Sequence, residues 1–475
     1  MSRPLLVATV AAPTMAELRR RRDAVEAVDL IELRLDHVRD PDATAAVADR
    51  RLPVVVTCRA KWEGGHFDGS EVERRKILEC ALALGAEYVD VEAKASFARD
   101  LIASTGGKRI VISTHDYEGV PADLIERVRA MRTMGAEIVK VAITARSLAD
   151  NLRLLQLERS GKTVLVAMGP VGVATRVLAA HFHSFWSYAG DGFVPGQLPA
   201  TRMLDEFRFR GITDRTDIYG VVGSPLTHSI SPSMHNAAFR AARADAVYLP
   251  LVASSAEDFT MFATALGVKG ASITIPYKVD LFQRADDVDD LSRKVGAVNT
   301  YRRDGARWEA RNTDVSGFLT PLIGKLDLRG ARAAVLGTGG ASRAVAVALE
   351  SAGSHVVVYG RSRSKADAVA RIVDGVGAVL PVPAKSWDLL VNTTPVGMYP
   401  DVDGTPFEGP FDGSLVYDLV YNPVETRLMK DAASAGCATI GGLDMLVAQA
   451  EDQSEWWLGR RPPVNLLRQA ALAAL

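Results

Sequence analysis

The stretch "AAVLGTGGASRAVAVALESAGSHVVVYGRSR" (333–363) decides the fold of its half of the chain. We expect a strand over Ala333–Leu336, a glycine-rich turn, a helix over Ala341–Ala352 and a second strand over His355–Tyr359. This order is typical of a βαβ dinucleotide-binding unit, in which glycines let the backbone approach a pyrophosphate at a helix N-terminus. Ser342 stands where the motif has Gly or Ala, so a structural turn in an α/β domain stays open.

The end of the second strand indicates which dinucleotide is bound. An NAD site has Asp or Glu there for the ribose hydroxyls, whereas this chain has Arg361, Ser362, Arg363 and Ser364. Arginines suit a 2′-phosphate because they form charge-assisted, forked hydrogen bonds. The sequence therefore predicts NADP as the cofactor, with a solvated basic turn as the alternative.

Length and composition limit the remaining possibilities. The 475 residues allow about three domains. A net charge of −1 gives no electrostatic case for nucleic acid, and no apolar run is long enough to span a bilayer. Cys58, Cys80 and Cys437 show neither metal-ligand spacing nor an even disulfide set. We therefore expect small-molecule partners, no nucleic-acid or membrane partner, no metal site, and a reducing, cytoplasmic location.

The first half contains short β-branched runs that alternate with helix-like segments. The expected strands are Leu5–Val10, Leu30–Leu35, Val54–Cys58, Tyr88–Val91, Arg109–Ser113, Ile138–Ala142, Val164–Ala167 and, more weakly, Ser184–Tyr188. Strands and helices alternating in this way predict a (β/α)8 barrel, with an open doubly wound sheet as the alternative.

In such a barrel the chemistry lies where strands end. Polar residues follow or occupy these ends: Glu32, Arg34, Arg59, Glu63, His115, Asp116, Lys140, Arg176 and Gln197. Lysine is seldom buried, and burial disfavours its charged form, so Lys140 is expected to offer a neutral amine to a carbonyl. His115 is expected to move protons near neutral pH. Arginines are suited to holding a carboxylate and hydroxyls.

Residues 1–212 resemble the type I 3-dehydroquinate dehydratases. The matching pieces are "ELRLD" (Glu32–Asp36), "TCRAKWEGG" (Thr57–Gly65), "STHD" (Ser113–Asp116), "IVKVA" (Ile138–Ala142), Met168–Arg176 and "PGQ" (Pro195–Gln197). The resemblance implies that Lys140 forms a Schiff base with the substrate ketone. It makes His115 the general base and then the acid, supported by Glu63. It also implies that substrate oxygens are bound by Glu32, Arg34, Arg59, Arg176 and Gln197.

Phe193 departs from this family, which usually has a serine four residues before the glutamine of "PGQ". A hydroxyl donor is then missing, so a slower dehydratase or a compensating group is expected. An aldolase-type Schiff-base barrel, or a half kept only for binding, remain alternatives.

The second half begins near "RGITDRTDIYGVVG" (Arg210–Gly223), where a polar stretch turns into a strand. Ser229 and Ser231 precede Pro232, an arrangement that suits a helix start able to hold a carboxylate, or ordinary capping by Ser231. Lys278 follows a strand, and Asp314 opens a helix either as a plain N-cap or as a functional carboxylate. Together these two residues could form an ion pair that handles a hydroxyl proton during hydride transfer.

Residues 217–475 resemble shikimate dehydrogenase. The match runs through the serine motif, "SITIPYK" (272–278), "GAVNT" (296–300), "NTD" (312–314), "GTGGASRA" (337–344), "GRSRSK" (360–365), "NTTPVGM" (392–398), "DLVYNP" (418–423) and "GGLDMLVAQA" (441–450). It departs at Ser272 and Gly360, where Asn is common.

This resemblance implies a role for each matched position. Lys278 and Asp314 are the implied catalytic pair. The implied substrate contacts are Ser229, Ser231, Thr274, Asn299, Asp314, Tyr421 and Gln449. The implied NADP contacts are Gly337, Thr338, Gly339, Gly340, Ala341, Arg361, Ser362, Arg363, Lys365, Leu419 and Gly442.

The sequence therefore predicts an α/β chain with a dehydratase barrel over 1–212 and a two-domain dehydrogenase. The substrate-binding domain is expected over 217–324, completed by helices in 443–475, with a Rossmann NADP domain over 325–442. The two activities would run in series, from 3-dehydroquinate through 3-dehydroshikimate to shikimate. A preference for quinate and NAD is the alternative for the second half.

Overall fold

The computed structural model describes residues 3–158, 161–190, 192, 194–226 and 229–475. Its backbone contacts divide the chain into two compact units. The first comprises residues 1–217 with 249–267, and the second comprises 218–248 with 268–475. Within the described residues, no helix combines the length and apolar character needed to cross a membrane.

The first unit contains the expected barrel. Within the described residues, one eight-stranded parallel sheet runs in the order β7-β6-β5-β4-β3-β2-β1-β8, and the Phe185 amide donates to the Thr163 carbonyl at 2.7 Å where β8 meets β7. The open-sheet alternative is therefore wrong. The strands are β1 Leu5–Ala11, β2 Leu30–Arg34, β3 Val54–Thr57, β4 Tyr88–Glu92, β5 Ile110–Asp116, β6 Ile138–Thr144, β7 Lys162–Met168 and β8 Trp186–Ala189.

Helices connect these strands, and several begin at strong capping sequences. Ser70 and Glu73 form a capping box at the start of α3, and Ser147 and Asp150 form another at α6, which satisfies amides that helix starts leave free. The helices are α1 Met15–Ala24, α2 Ala43–Val47, α3 Glu71–Ala83, α4 Ala98–Thr105, α5 Leu124–Thr133, α6 Leu148–Leu155 and α7 Val173–Val177.

The barrel interior is a packed core, not a pore. Alternate residues of the strands point inward, so Val7, Val55, Val111 and Trp186 pack together as one buried cluster. The polar residues toward the C-terminal ends of the strands lie above this apolar layer. This placement matches the face at which parallel barrels carry their chemistry.

The second unit has two sheets. The first, in the order β10-β9-β11-β13-β14-β12, mixes parallel and antiparallel pairs. Part of β10, and the helix α9 that follows it, are counted with the first unit. The strands of this sheet and the accompanying helices are β9 Asp217–Gly223, α8 Ser231–Ala242, β10 Ala246–Val252, α9 Ala256–Leu266, β11 Gly270–Ile273, α10 Lys278–Phe282, β12 Asp287–Val288, α11 Asp290–Val295, β13 Thr300–Asp304, β14 Arg307–Arg311 and α12 Asp314–Leu319.

The second sheet of this unit is parallel throughout, in the order β17-β16-β15-β18-β19-β20. This is the 3-2-1-4-5-6 order of a dinucleotide-binding Rossmann fold. Its elements are β15 Arg332–Leu336, α13 Gly340–Ser351, β16 His355–Gly360, α14 Arg363–Ala370, β17 Val376–Val379, β18 Leu389–Asn392, β19 Leu415–Asp418, α15 Arg427–Ser434 and β20 Ala438–Gly441.

Two C-terminal helices, α16 (Gly442–Leu458) and α17 (Leu466–Ala474), pack on α8. Met234 and Ala238 of α8 share a buried apolar cluster with Val447 of α16 and Leu467 of α17. Residues far apart in the chain thus complete one core. The division of this half into substrate-binding and NADP domains at 324/325 and 442/443 stays a prediction.

Candidate functional sites

Lys140 lies in the middle of β6 with its side chain inside the barrel. Its ammonium donates to Asp90 Oδ2 at 2.9 Å and to Glu32 Oε1 at 3.3 Å, and it lies 4.6 Å from the centre of the Tyr188 ring. Only 7% of the Lys140 side chain is exposed. The predicted nucleophile is therefore a buried cation with two carboxylates and an aromatic face around it.

The charge of this lysine differs from the sequence-based expectation. Burial alone would lower the pKa of Lys140, but Asp90 and Glu32 outweigh it and raise the pKa above the ordinary value. The expectation of a neutral resting amine is wrong, because the carboxylates restore to the ammonium the stabilisation that burial removes.

Asp90, which the sequence analysis did not single out, links Lys140 to Arg59. Arg59 donates to Asp90 at 2.9 Å, to Glu92 at 3.0 Å and to Ser113 at 2.8 Å. Although burial opposes it, the charges of Arg59 and Lys140 hold the pKa of Asp90 well below its usual range. Asp90 thus lies between two buried cations, Arg59 and Lys140, and holds the Lys140 ammonium in position.

His115 stands on β5, the strand beside Lys140, and Glu63 holds it. The Glu63 carboxylate accepts from the His115 amide at 2.7 Å and lies 3.4 Å from the ring Nδ1. Burial, with the positive charges of Arg59 and Lys140, keeps the pKa of His115 well below its ordinary value. The imidazole is therefore neutral at pH 7, and suited to accepting a proton.

The other predicted barrel residues lie around this centre. Glu32 accepts from Thr57 at 2.9 Å and from Thr9 at 3.2 Å, and Thr9 in turn accepts from the Gln197 amide at 3.1 Å. Arg176 is buried, and burial lowers its pKa to about 10. Within the described residues the Arg176 guanidinium has no carboxylate partner, so it suits the carboxylate of a ligand.

The Arg34 guanidinium donates two hydrogen bonds to the Asp36 carboxylate, at 2.9 and 2.8 Å. His37 and His66 bring a ring nitrogen to 3.8 Å from the same carboxylate, so these three residues resemble a metal-ligand set. The guanidinium that already covers Asp36 disfavours a cation there. Phe193, the predicted departure at the barrel mouth, lies outside the described residues.

The second candidate site centres on Lys278 and Asp314. The Lys278 ammonium donates to Asp314 Oδ2 at 2.5 Å, and the Asn299 amide donates to Oδ1 at 2.8 Å. Asn299 also donates to Gln449 Oε1 at 3.2 Å. Four predicted residues therefore form one hydrogen-bonded group.

The local fold explains why Asp314 is available for this group. Thr313, not Asp314, is the N-cap of α12, and Asp314 is the first helical residue, so the plain N-cap alternative is wrong. Gly317 allows α12 to approach α16, since a Cβ there would lie 2.9 Å from that of Gln449. This close approach places Gln449 beside Asn299.

Among the described residues, no side-chain hydrogen bond joins the remaining predicted substrate residues to this group. A Cβ on Gly223 would lie 2.4 Å from Thr274 Cγ2, so the loop that leads to Ser229 and Ser231 starts beside Thr274. Both serines are partly exposed, and the N-cap of α8 is Ile230 rather than Ser231. Tyr421 packs against the cluster that contains Ile230.

Ser272, a departure from the dehydrogenase pattern, is buried in a separate chain of hydrogen bonds. It accepts from Tyr248 at 2.6 Å and donates to Gln453 at 2.7 Å, and the Gln453 amide donates to the Asn299 carbonyl at 3.2 Å. The last of these hydrogen bonds holds the backbone carbonyl of Asn299 in place.

The glycine-rich turn between β15 and α13 fits a pyrophosphate. Gly337 has a φ of +122°, and a Cβ there would lie 2.3 Å from Thr393 Oγ1. Gly339 is the N-cap of α13 and has no side chain to bond the first amides of the helix. A Cβ on Gly339 would have no neighbour within 4 Å, and Thr338 and Ala341 flank the Gly339–Gly340 pair in sequence. A 12-residue helix with uncapped amides suits a phosphate anion.

The basic residues follow at the end of β16. Arg361, Arg363 and Lys365 are exposed, whereas Ser362 is the N-cap of α14. Arg363 donates to Asp367 at 3.0 Å. Leu419 follows β19, and Gly442 follows β20. A Cβ on Gly442 would lie 2.2 Å from the Leu419 carbonyl oxygen, so this position has room only for glycine.

Sequence reasoning missed Asp90, Glu92, Thr9 and Tyr188 around Lys140. The signal for the first two was present, since "YVDVE" places two carboxylates on one strand of a barrel, two residues apart and therefore on one face. Thr9 and Tyr188 carry no such signal, because both residues are common in strands.

Three known protein families match parts of this chain. Type I 3-dehydroquinase matches residues 6–214, the shikimate dehydrogenase substrate binding domain matches residues 221–301, and the shikimate 5'-dehydrogenase C-terminal domain matches residues 442–472. A chloroplastic bifunctional 3-dehydroquinate dehydratase/shikimate dehydrogenase of Arabidopsis thaliana is 33% identical, over 93% of this chain and 79% of its own.

Two further relatives cover the second half alone. A shikimate dehydrogenase (NADP(+)) of Synechocystis is 41% identical, over 55% of this chain and 97% of its own. The crystal structure of shikimate 5-dehydrogenase from Thermus thermophilus with NADP(H) and shikimate is 33% identical, with a TM-score of 0.50, and covers 55% of this chain and 100% of that one. The chain belongs to the family of bifunctional 3-dehydroquinate dehydratase/shikimate dehydrogenases of the shikimate pathway, a lyase and an NADP-dependent oxidoreductase in one polypeptide.

Proposed function

We propose that Lys140 forms a Schiff base with the ketone of 3-dehydroquinate, and that Lys278 and Asp314 handle the proton when 3-dehydroshikimate is reduced. The observation that carries the first part is the buried ammonium of Lys140 between Asp90 and Glu32. The second part is supported by the Lys278–Asp314 pair at 2.5 Å.

A protonated resting lysine is compatible with this chemistry because charge is conserved. An ammonium and a ketone give a protonated imine and one water, so the positive charge that Asp90 and Glu32 stabilise is present before and after. Attack requires the neutral amine only transiently. Neutral His115 accepts that proton and returns it to the departing oxygen.

His115 then acts on the substrate carbon. It removes the proton next to the imine, which leaves a neutral enamine and an imidazolium, and it passes that proton to the leaving hydroxyl, which departs as water. The imine nitrogen regains its positive charge, and hydrolysis frees Lys140. Glu63, 3.4 Å from Nδ1, stabilises the imidazolium while it exists.

Substrate binding is assigned to groups around this centre. Arg176 holds the carboxylate, because it is a buried guanidinium with unused hydrogen-bonding capacity. Arg34, Glu32 and Gln197 contact hydroxyls. Arg59 contributes mainly by fixing Asp90 beside Lys140, since its guanidinium already donates to three protein groups.

In the second half, Asn299 and Gln449 hold Asp314, and Asp314 orients the Lys278 ammonium toward the substrate oxygen. That ammonium donates a proton as the ketone becomes a hydroxyl. Ser229, Ser231, Thr274 and Tyr421 bind the ring acid. NADPH, held by the turn at Gly337–Ala341, by Arg361–Lys365, and by Leu419 and Gly442, supplies the hydride when bound.

The test is NADPH absorbance with purified protein and 3-dehydroquinate alone, beside a cuvette with 3-dehydroshikimate. Loss of NADPH in both is the expected result and means that the halves work in series. Loss with 3-dehydroshikimate alone would mean that the barrel is inactive and kept for binding. Loss in neither would contradict the assignment of the dehydrogenase site and its substrate.

The proposed location is the cytoplasm. Cys58, Cys80 and Cys437 are free, as is usual in a reducing compartment. The proposed partners are the small-molecule substrates and NADP, and a net charge of −1 gives no reason to expect nucleic acid. Cell fractionation with activity assays tests the location, and activity confined to an organelle or membrane fraction would contradict it.

A further inference from the structure

Among the described residues, several buried polar atoms of the barrel have no hydrogen-bond partner. They include the Tyr188 hydroxyl, Arg176 Nε and Gln197 Oε1. Leaving a buried donor or acceptor unpaired is unfavourable, so such atoms are uncommon in folded proteins and need an explanation. The proposed mechanism gives Arg176 and Gln197 a ligand, but it gives Tyr188 nothing.

Tyr188 lies on β8 opposite Val7 of β1 and points into the barrel, where 3% of it is exposed. The face of its ring lies 4.6 Å from the Lys140 ammonium. Burial raises the pKa of its hydroxyl, which therefore remains a protonated donor at neutral pH. Both its ring and its hydroxyl thus adjoin the predicted reaction centre.

The other two unpaired atoms belong to the same end of the barrel. The Gln197 amide nitrogen is used by Thr9, which leaves its oxygen over Gly190, where a Cβ would lie 2.5 Å away. Gly190 is two residues after Tyr188. The Arg176 guanidinium is close enough to Tyr188 for an electrostatic interaction that raises the pKa of Arg176. The hydroxyl of Ser187, the residue before Tyr188, donates to the Arg176 carbonyl at 2.9 Å. The fold therefore gathers three unpaired groups around one strand end.

From this arrangement we propose that Tyr188 is a substrate-contacting residue of the dehydratase. Its hydroxyl donates to an oxygen of the bound substrate, and its ring face stabilises the cation that Lys140 and the protonated imine carry in turn. The inference rests on the proposed Schiff-base function of Lys140. It assigns to this chain a hydroxyl donor inside the barrel, which the "PGQ" segment, with Phe193 in place of the usual serine, does not supply.

The test compares Tyr188→Phe with the wild-type full chain. Removing the hydroxyl alone is expected to lower kcat/KM for 3-dehydroquinate about 10- to 100-fold, the equivalent of one lost hydrogen bond to a substrate group. The thermal midpoint of the free protein should stay level or rise, because an unpaired buried hydroxyl is removed. Reduction of 3-dehydroshikimate should be unchanged.

Tyr417→Phe is the matched control. The Tyr417 hydroxyl is also buried without a partner among the described residues, but it lies in the core of the Rossmann sheet, where it stacks on Phe318. This variant should affect the thermal midpoint in the same direction and leave the dehydratase unchanged. Equal dehydratase kinetics in Tyr188→Phe and Tyr417→Phe would overturn the hydroxyl contact.

Tyr188→Leu tests the ring. With substrate and borohydride, Tyr188→Leu should form the covalent adduct more slowly than Tyr188→Phe does, because the cation loses its aromatic face. Equal rates of adduct formation in the two variants would overturn the ring contribution. Failure of the underlying function has a different signature, because then the wild-type protein itself gives no borohydride adduct with substrate.

Discussion

Lys140 and Lys278 are both lysines beside carboxylates, but their surroundings suit different tasks. Lys140 has 7% of its side chain exposed and faces Asp90, Glu32 and an aromatic ring. Lys278 has 15% of its side chain exposed, and Asp314 is its one ionic partner among the residues that the structure describes. The first environment stabilises the positive charge that the ammonium and then the imine carry, whereas the second orients a proton donor.

This difference teaches that a paired lysine is not thereby excluded as a nucleophile. What matters is whether the charge is conserved over the reaction, and in imine formation it is. A proton donor such as Lys278 does lose its charge when it acts, so its partner must not hold it too tightly. Pairing with the one carboxylate of Asp314, rather than with two, meets that requirement.

The largest expected effect comes from Lys140→Ala. The dehydratase rate should fall by at least about four orders of magnitude, because the covalent route is lost, while 3-dehydroshikimate reduction stays at the wild-type rate. Borohydride with substrate, followed by mass measurement, should label the wild type only. An adduct on the Lys140→Ala protein would show that another amine is the nucleophile.

The reciprocal change, Lys278→Ala, should lower the reduction rate about 10²- to 10⁴-fold, the usual range for losing a general acid. The dehydratase should be unaffected, and NADPH binding, measured by fluorescence, should be largely retained. A reduction rate within a factor of two or so of wild type would remove Lys278 from the catalytic pair.

Asp90→Asn should sharpen the contrast by removing one of the two carboxylates at Lys140. Because Arg59 and Lys140 are then left buried with less compensation, the barrel should lose about 3–5 kcal/mol of unfolding free energy. The readout is the urea midpoint for dehydratase inactivation, with the midpoint for the dehydrogenase as an internal reference.

Asp388→Asn is the matched control for this change. Asp388 pairs with Arg332 at 2.6 Å, but both side chains are substantially exposed, so the urea midpoints should barely move. Equal effects of the two substitutions would contradict the view that burial makes the Asp90 charges important.

The smallest expected effect is on pH dependence. The lowered pKa of His115 keeps its imidazole neutral until the pH falls well below the ordinary value of 6.5, so the acid limb of dehydratase kcat/KM should lie below that pH. The measurement is a kcat/KM profile in constant-ionic-strength buffers. An acid limb centred at or above about pH 6.5 would contradict the assignment of His115 as a neutral resting base.

Much of this molecule was predictable because strand periodicity and turn chemistry are local. All eight barrel strands form within a few residues of their expected bounds, and the βαβ unit at Ala333–Arg363 forms as expected. The charge state of Lys140 was not predictable, because it depends on Asp90, 50 residues away in sequence. Tyr188 was missed for a similar reason, since only the closed barrel brings its ring face to Lys140.

The packing of α8 against α17 has a consequence for the order in which the chain is made. Every barrel strand is complete by Ala189, so that half can fold while the rest is still being synthesised. The core shared by Met234 and Leu467 cannot close until the helices after Gly442 leave the ribosome, tens of seconds later at about 5–20 residues per second. During synthesis, the lyase can therefore mature before the reductase, and the nascent α8 must keep its apolar face protected until its partner arrives.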